Sequence, residues 1–295
     1  MAIDVSTLIA AVLGAGTTAF AVLQWSSKPF FDRHLEAYKT GLSRDNALLL
    51  GDAEADRKYR FEARQRLHNA VGPLRFQLIQ TAVQVRDRIF NIVEYGHDLG
   101  TRGYFYRSTL YRTCRLIALL ELIEREMGYA DFSVDDAMLR IVRFRRLVFQ
   151  AFSGSWFLLD HPGCDWTIER EHLFRDTLPV IAAAMLTAGA NGQNRVVRVD
   201  EFNAVLAQGR GYLEPIATQI AALDPRETPV LWLRIIAVAA ICDALLRSEP
   251  QLADALGAKD NYDFAPLLAA SDDPFIAANC AAYAKAIGEL AAGLR

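Results

Sequence analysis

Between Val5 and Ser27 the chain carries no charged side chain. As a helix these 23 residues would rise roughly 34 Å at about 1.5 Å each, enough to cross the hydrocarbon of a bilayer. Trp25 closes the run and Lys28, Arg33 and Lys39 follow it, whereas only Asp4 precedes it. An interfacial aromatic and a one-sided positive flank predict an N-terminus outside and the bulk of the chain in the cytoplasm. The expected fold is all-α, with an N-terminal single transmembrane helix at 1–27, charged juxtamembrane helices at 28–70 and a cytosolic multi-helix bundle at 71–295.

The same run contains AVLGAGTTAFAV, in which Gly14, Gly16 and Ala19 spell G-x-G-x-x-A, the turn that lets a strand and helix approach a dinucleotide pyrophosphate. That reading needs a second strand ending in an acidic residue about twenty positions on. Asp32 stands near the right distance, but QWSSKPFFDRHLEAYK before and around it holds a proline and a helix-like pattern, and no alternation of strands and helices follows. A cleaved signal peptide is a third reading, since Ala19-Phe20-Ala21 has the small-x-small form; against it, the leading residues lack Lys and Arg and carry Asp4. Within the span Ala10, Gly14 and Thr18 recur at every fourth position. Such a face lets helix backbones approach in lipid, so a homo-oligomer through this helix is expected, although alanine and glycine are also ordinary in such spans.

A chain with 23% charged residues is not a polytopic membrane protein. Residues 28–100 hold 12 basic and 10 acidic side chains, 101–189 hold 11 of each, and 190–295 hold 9 and 13. No segment has the basic density of a nucleic-acid binder. Cys114, Cys164, Cys242 and Cys280 stand far apart, at least Cys114 and Cys242 within apolar helical patterns, and read as buried free thiols of a reducing compartment. His161, Cys164, Asp165 and His172 are the nearest thing to a cluster of metal ligands, but their spacing matches no zinc pattern and His-Pro-Gly-Cys reads as a turn. No metal and no cofactor is expected.

Beyond Pro29 the pattern is helical almost throughout. Phe30, Phe31, His34, Leu35 and Tyr38 share one face of a helix ending near Gly41; a break is expected at Gly51-Asp52, and Gly72-Pro73 is expected to stop the charged helix AEADRKYRFEARQRLHNA, in which Glu62 precedes Arg66 by four. An inner helix runs from Pro73 to about Tyr95, followed by helices over STLYRTCRLIALLELIERE and from Ser133, whose first turn holds Asp135 and Asp136. On the latter Arg145 points into the apolar face of Met138, Ile141, Val142, Val148, Phe149 and Phe152, and a buried arginine requires a partner. The loop 153–166 is the one candidate boundary within 71–295. Thr167 is expected to start a helix through EREHLFRD; VIAAAMLTAG reads as a core helix begun or kinked at Pro179; 194–199 is the only credible strand; Thr228-Pro229 caps VLWLRIIAVAAICDALL, another inner helix; and ANCAAYAKAIGELAAGL closes the chain as a small-residue helix.

Several segments, KYRFEARQRL (58–67) with GPLRFQLI, RGYFYRSTLYR (102–112) with ELIEREMGYADFSVD, and DPRETPVLWLRI (224–235), resemble in order and spacing a family of uncharacterised bacterial membrane-anchored helical proteins. The resemblance covers about two thirds of the chain. It implies an all-helical bacterial cytosolic domain, hence an inner-membrane location, and no reaction.

There is no G-x-S-x-G, no P-loop and no H-E-x-x-H, and none of the five histidines has an arginine at the spacing of an Arg-His ribonuclease. What remains is an arginine and tyrosine constellation: Tyr104, Tyr106, Arg107, Tyr111, Arg112 and Arg115, with Arg140, Arg143 and Arg146 on the following helix. Guanidinium forks beside aromatic rings suit a nucleotide or another phosphorylated ligand, with Tyr106, Arg107, Arg112, Arg115 and Arg143 as its candidate contacts. The plainer reading pairs these arginines with Glu121, Glu124, Asp135 and Asp136. The expected function is a membrane-anchored sensor or interaction module, an effector of defence or stress response by analogy of layout; a nucleotide-binding protein or enzyme and a non-catalytic scaffold are the alternatives.

Overall fold

A computed structural model describes residues 5–96, 99, 103–128, 135–167, 171–189, 192–208, 211–258 and 262–294, with side chains from residue 34 onward. The architecture is all-α, with eleven α-helices and one short two-stranded sheet among the described residues. The chain divides into two units, Met1–Glu62 and Ala63–Arg295.

Helix α1 spans Val5–Tyr95 without interruption. The breaks expected at Gly41, Gly51 and Gly72-Pro73 do not occur. An exposed glycine costs a helix only about 1 kcal/mol, and nothing lies within 4 Å of where a Cβ would stand at Gly41 or Gly51. Pro73 is the harsher residue, since it denies one carbonyl its donor. It is tolerated because Leu67, Val71, Leu78 and Ile79 on either side are buried at 1% exposure or less, so packing holds the helical path that propensity alone would end.

In the first unit every described side chain, 34–62, is exposed. Its helix is supported locally, by an Arg60–Asp56 ion pair at 3.0 Å one turn apart and by Thr40 Oγ1 donating to the Glu36 carbonyl. The span expected at 5–27, with Ala10, Gly14 and Thr18, lies within α1, but these side chains are outside the described residues.

The second unit is built around α7 (Pro229–Ser248), which is buried on nearly every face, including Trp232 and Arg234 at 0% exposure. Among the residues whose side chains are described, it is the one helix long and apolar enough to cross a membrane, with a mean hydropathy of 2.0, and 89% of that window is buried inside the protein. A helix apolar all round is either a bilayer span or a protein core, and its neighbours make this one a core. It packs on α3 (Asp136–Ser153) and α11 (Cys280–Ala292), while α2 (Tyr104–Met127) packs on α4 (Thr177–Ala184) and α6 (Glu214–Ala222). Smaller helices complete the unit: α5 (Val199–Ala207), α8 (Pro250–Ala255), α9 (Ala265–Ala269) and α10 (Pro274–Ala278).

Polar side chains join these helices. Arg86 of α1, 1% exposed, donates to Asp243 of α7 at 3.0 Å, and its guanidinium lies 4.2 Å from the Tyr262 ring centre. Arg75 places Nη2 2.6 Å from both carboxylate oxygens of Glu249. Arg234 donates to the Ala151, Gly154 and Glu171 carbonyls, locking α7 to the end of α3; burial pushes its pKa down to about 10. Arg145 finds the partners its position requires, Glu121 at 3.1 Å and Glu124, over the Phe149 ring.

Three local expectations are corrected. Residues 171–176 are not helical: Glu171 instead turns its carboxylate to the N-terminus of α7, accepting from Val230 N at 3.0 Å and Leu231 N at 3.3 Å. Thr228, expected to make that cap, bonds within the preceding turn and accepts from Asp224 N. The apolar run from Thr177 ends its helix at Ala184 and enters strand β1 (Leu186–Ala188), which pairs antiparallel with β2 (Asn194–Val196), Leu186 opposite Val196.

Candidate functional site: an arginine-rimmed groove

Asp135, rather than Ser133, which lies outside the described residues, caps α3: its carboxylate accepts from Ala137 N at 2.8 Å. This start fixes the phase of the helix, so that Asp136, Leu139, Arg140 and Arg143 fall on one face. Opposite them α7 presents Ile236, Ala240, Ala244 and Arg247, spaced four, four and three apart, and α11 presents Ala284, Ile287, Gly288 and Ala291. Segment 263–268 closes the third side. Between them lies a groove of about 850 Å³, within the range that small-molecule sites occupy.

The groove exists because the facing positions are small. Ala240, Ala244, Ala284 and Ala291 leave the space that leucines would fill, and at Gly288 nothing lies within 4 Å of a Cβ position. The floor is apolar and tightly backed: Ile236, Leu268 and Ile287 are each 2% exposed or less. Three guanidinium groups stand at the rim, those of Arg140, Arg143 and Arg247. Arg247 ion-pairs with Asp243, and Arg140 stands 3.8 Å from Glu249. The Nε of Arg140 is buried with no hydrogen-bond partner among the described residues. Of the two rim carboxylates, Asp263 is engaged by Ala265 N at 2.9 Å and Asp136 opens the first turn of α3, where a helix terminus favours negative charge. The wall at 262–264 is held from α1, with Tyr262 donating to Asp87 at 2.9 Å and the Phe90 ring tilted against that of Tyr262, their centres 4.1 Å apart. Burial, and then the Asp87 carboxylate, raise the Tyr262 hydroxyl to about 12.

The arginines and tyrosines singled out on α2 do not converge on this groove; of the five candidate contacts only Arg143 lines it. Tyr106 is buried and donates to the Ala217 carbonyl of α6 at 3.3 Å, and Tyr111 donates to the Val197 carbonyl at 3.2 Å, with burial raising its hydroxyl and Arg115 beside it opposing that rise. Arg112 reaches the Gln84 carbonyl of α1, and burial followed by the nearby Arg88 charge lowers its pKa. The space beside Arg88 and Arg112 is only about 10 Å³. Arg107 is exposed on the outer face of α2. Tyr106, Tyr111 and Arg112 thus tie α2 to its neighbours.

The residues weighed as metal ligands are likewise engaged in other ways. His161 accepts from Gly163 N at its Nδ1, which leaves the Nε2 hydrogen for Asp273 at 3.2 Å. Asp165 accepts from both Thr167 N and Oγ1, and His172 packs edge-on between Trp166 and Phe174. Among the described residues no three His, Cys, Asp or Glu side chains converge as metal ligands would. Cys114 and Cys242 are buried free thiols, which burial pushes well above the ordinary range, whereas Cys164 and Cys280, expected to be buried as well, are only partly so.

Sequence reasoning marked Arg140, Arg143 and Arg146 as one stripe, of which Arg146 instead lines a separate pocket with Glu124 and Phe149, and it missed Arg247, Glu249 and the trough of α11. The signal for the trough was present in the small residues of ANCAAYAKAIGELAAGL, which recur at helical spacing. No protein-family model, curated protein or solved structure matches the chain.

Proposed function

We propose that the protein is a membrane-tethered binding module in which the second unit takes a small ligand into the groove between α3, α7 and α11. The observation that carries the reading is the groove itself: about 850 Å³, an apolar floor already backed by the core, and guanidinium groups at its rim. An apolar floor with cations at its rim is the arrangement that holds and orients a ligand.

The membrane part of the proposal rests on the uncharged run 5–27 and the basic flank behind it. In this reading residues 5–27 are the anchor in a bacterial inner membrane and the second unit is cytoplasmic. Self-association of the anchor is supported by the small residues Ala10, Gly14 and Thr18, and farther along α1 by Leu35, Leu42 and Leu49, spaced seven apart with side chains more than half exposed.

Two measurements test the proposal. The intact chain is expected to sediment with membranes and to need detergent for release, and removal of residues 1–27 is expected to give a soluble folded product; a chain soluble without detergent removes the anchor from the reading. Gly288→Trp, which fills the groove, is expected to abolish uptake of a neutral apolar dye such as Nile red without lowering the melting temperature. Unchanged dye binding with a tryptophan in place removes the groove as the site.

A further inference from the structure

The rim arginines are not isolated. Glu249, which follows the last turn of α7, serves Arg75 of α1 with both oxygens at 2.6 Å and stands 3.8 Å from Arg140 of the groove. Six residues earlier, Asp243 serves Arg86 of α1 at 3.0 Å and ion-pairs with Arg247 of the groove. In both cases one carboxylate is shared between an α1 arginine and a groove arginine, and the groove arginine is the more exposed partner: 37% against 28% in the first, 59% against 1% in the second. Arg140 is the most weakly held of the four, and it keeps a buried Nε without a hydrogen-bond partner among the described residues. A guanidinium whose nearest carboxylate stands 3.8 Å away and whose side chain is 37% exposed is placed to take an external anion through its outer nitrogens.

The rest of the groove sets what that anion must carry. Its floor offers aliphatic carbon and the single ring of Phe264, with no row of donors and acceptors to read a base or a sugar. Resting on the ligand-binding reading above, we propose that the groove binds a single-chain anionic amphiphile: the tail lies on Ile236, Leu268 and Ile287, the carboxylate or phosphate head is held by Arg140 and Arg247, and occupancy is coupled to α1 through Glu249. An anion at Arg140 competes with Glu249. Removing that carboxylate frees Arg140 for the ligand, whereas removing Arg75 leaves Glu249 to draw Arg140 away.

The test uses the full chain in nanodiscs of neutral phosphatidylcholine, titrated calorimetrically with dodecyl phosphate and dodecanoate below their micellar concentrations. One molecule is expected per chain, with dodecanol and dodecyltrimethylammonium at least about tenfold weaker, the ordinary worth of a charge-assisted hydrogen bond. Arg140→Ala and Arg247→Ala are each expected to weaken dodecyl phosphate by about tenfold and to leave Nile red uptake in place. Glu249→Gln is expected to tighten binding, and Arg75→Ala to weaken it in the wild-type background but to have no effect beside Glu249→Gln. Dodecanol binding as tightly as dodecyl phosphate overturns the anionic head. Anionic diacyl lipid vesicles binding where dodecyl phosphate does not overturns the single-chain ligand in favour of a membrane surface. Equal effects of Arg75→Ala in both backgrounds overturn the coupling. If Nile red enters the groove while neither amphiphile does, the ligand class is wrong and the groove stands; if the dye also fails, the ligand-binding reading falls with it.

Discussion

Replacing Arg86 by methionine isolates the energetics of the joint between α1 and α7. Arg86 and Asp243 are 1% and 2% exposed, so the change strands a carboxylate that water cannot reach. Breaking a buried pair from one side typically costs about 3–5 kcal/mol. The lower end applies here, because Arg247 remains on Asp243 and Asp87, a third exposed, is left to water when its contact is lost. We therefore expect a loss of about 3 kcal/mol, which for a domain of this size lowers the melting temperature by roughly 6–12 °C. Removing both charges, as Arg86→Met with Asp243→Leu, is expected to recover all but about 1 kcal/mol, since an apolar pair of similar volume needs no desolvation. Near-ultraviolet circular dichroism and tryptophan fluorescence of the full chain in a neutral detergent, followed through heat and urea, measure both quantities. A single-variant loss below about 1 kcal/mol, or a double variant as unstable as the two single losses summed, would refute the reasoning.

Glu171→Ala removes a charged cap shared by two amides at the start of α7 and is expected to cost about 1–2 kcal/mol, read by urea denaturation. Burial works against the ionised Asp273, but the amides of Ile276 and Phe275 and the His161 ring together hold its pKa below the ordinary aspartate value. Its contribution to stability is therefore present above about pH 4 and lost as pH falls through the lowered value; Asp273→Asn is expected to flatten that limb of the stability curve, and an unchanged acid limb would count against this assignment. Tyr111→Phe is expected to cost about 1 kcal/mol and to leave groove binding unchanged, as a structural rather than a ligand-contacting hydroxyl should. Cys114 and Cys242 are expected to stay unmodified by a thiol reagent at pH 8 until the protein is unfolded, a difference that mass spectrometry of the labelled peptides detects.

The helical class, the inner position of α7, the buried free thiols and the need of Arg145 for an acidic partner were all legible in the residues, because each follows from local periodicity or from the cost of a buried charge. The path of α1 was not. Gly72-Pro73 is a strong local stop signal, and what overrides it is burial of Leu67, Val71, Leu78 and Ile79 against elements distant in sequence. The same limit hid the role of Glu171, which looks like an ordinary helical glutamate until the amides of Val230 and Leu231 are brought to it. The groove was half visible: the arginine stripe of α3 could be read, but the depth comes from alanines and a glycine on α7 and α11 that only the tertiary arrangement sets face to face.

The two bonds that fasten α1 to the end of α7 span large distances along the chain, 157 residues for Arg86 to Asp243 and 174 for Arg75 to Glu249. During synthesis, this stretch of α1 emerges long before the carboxylates that neutralise it. Its arginines and its apolar face remain without their final partners until ribosomes have passed residue 249. Closure of the second unit is thus a late, long-range event, the kind of step that makes folding slow relative to elongation of a single helix.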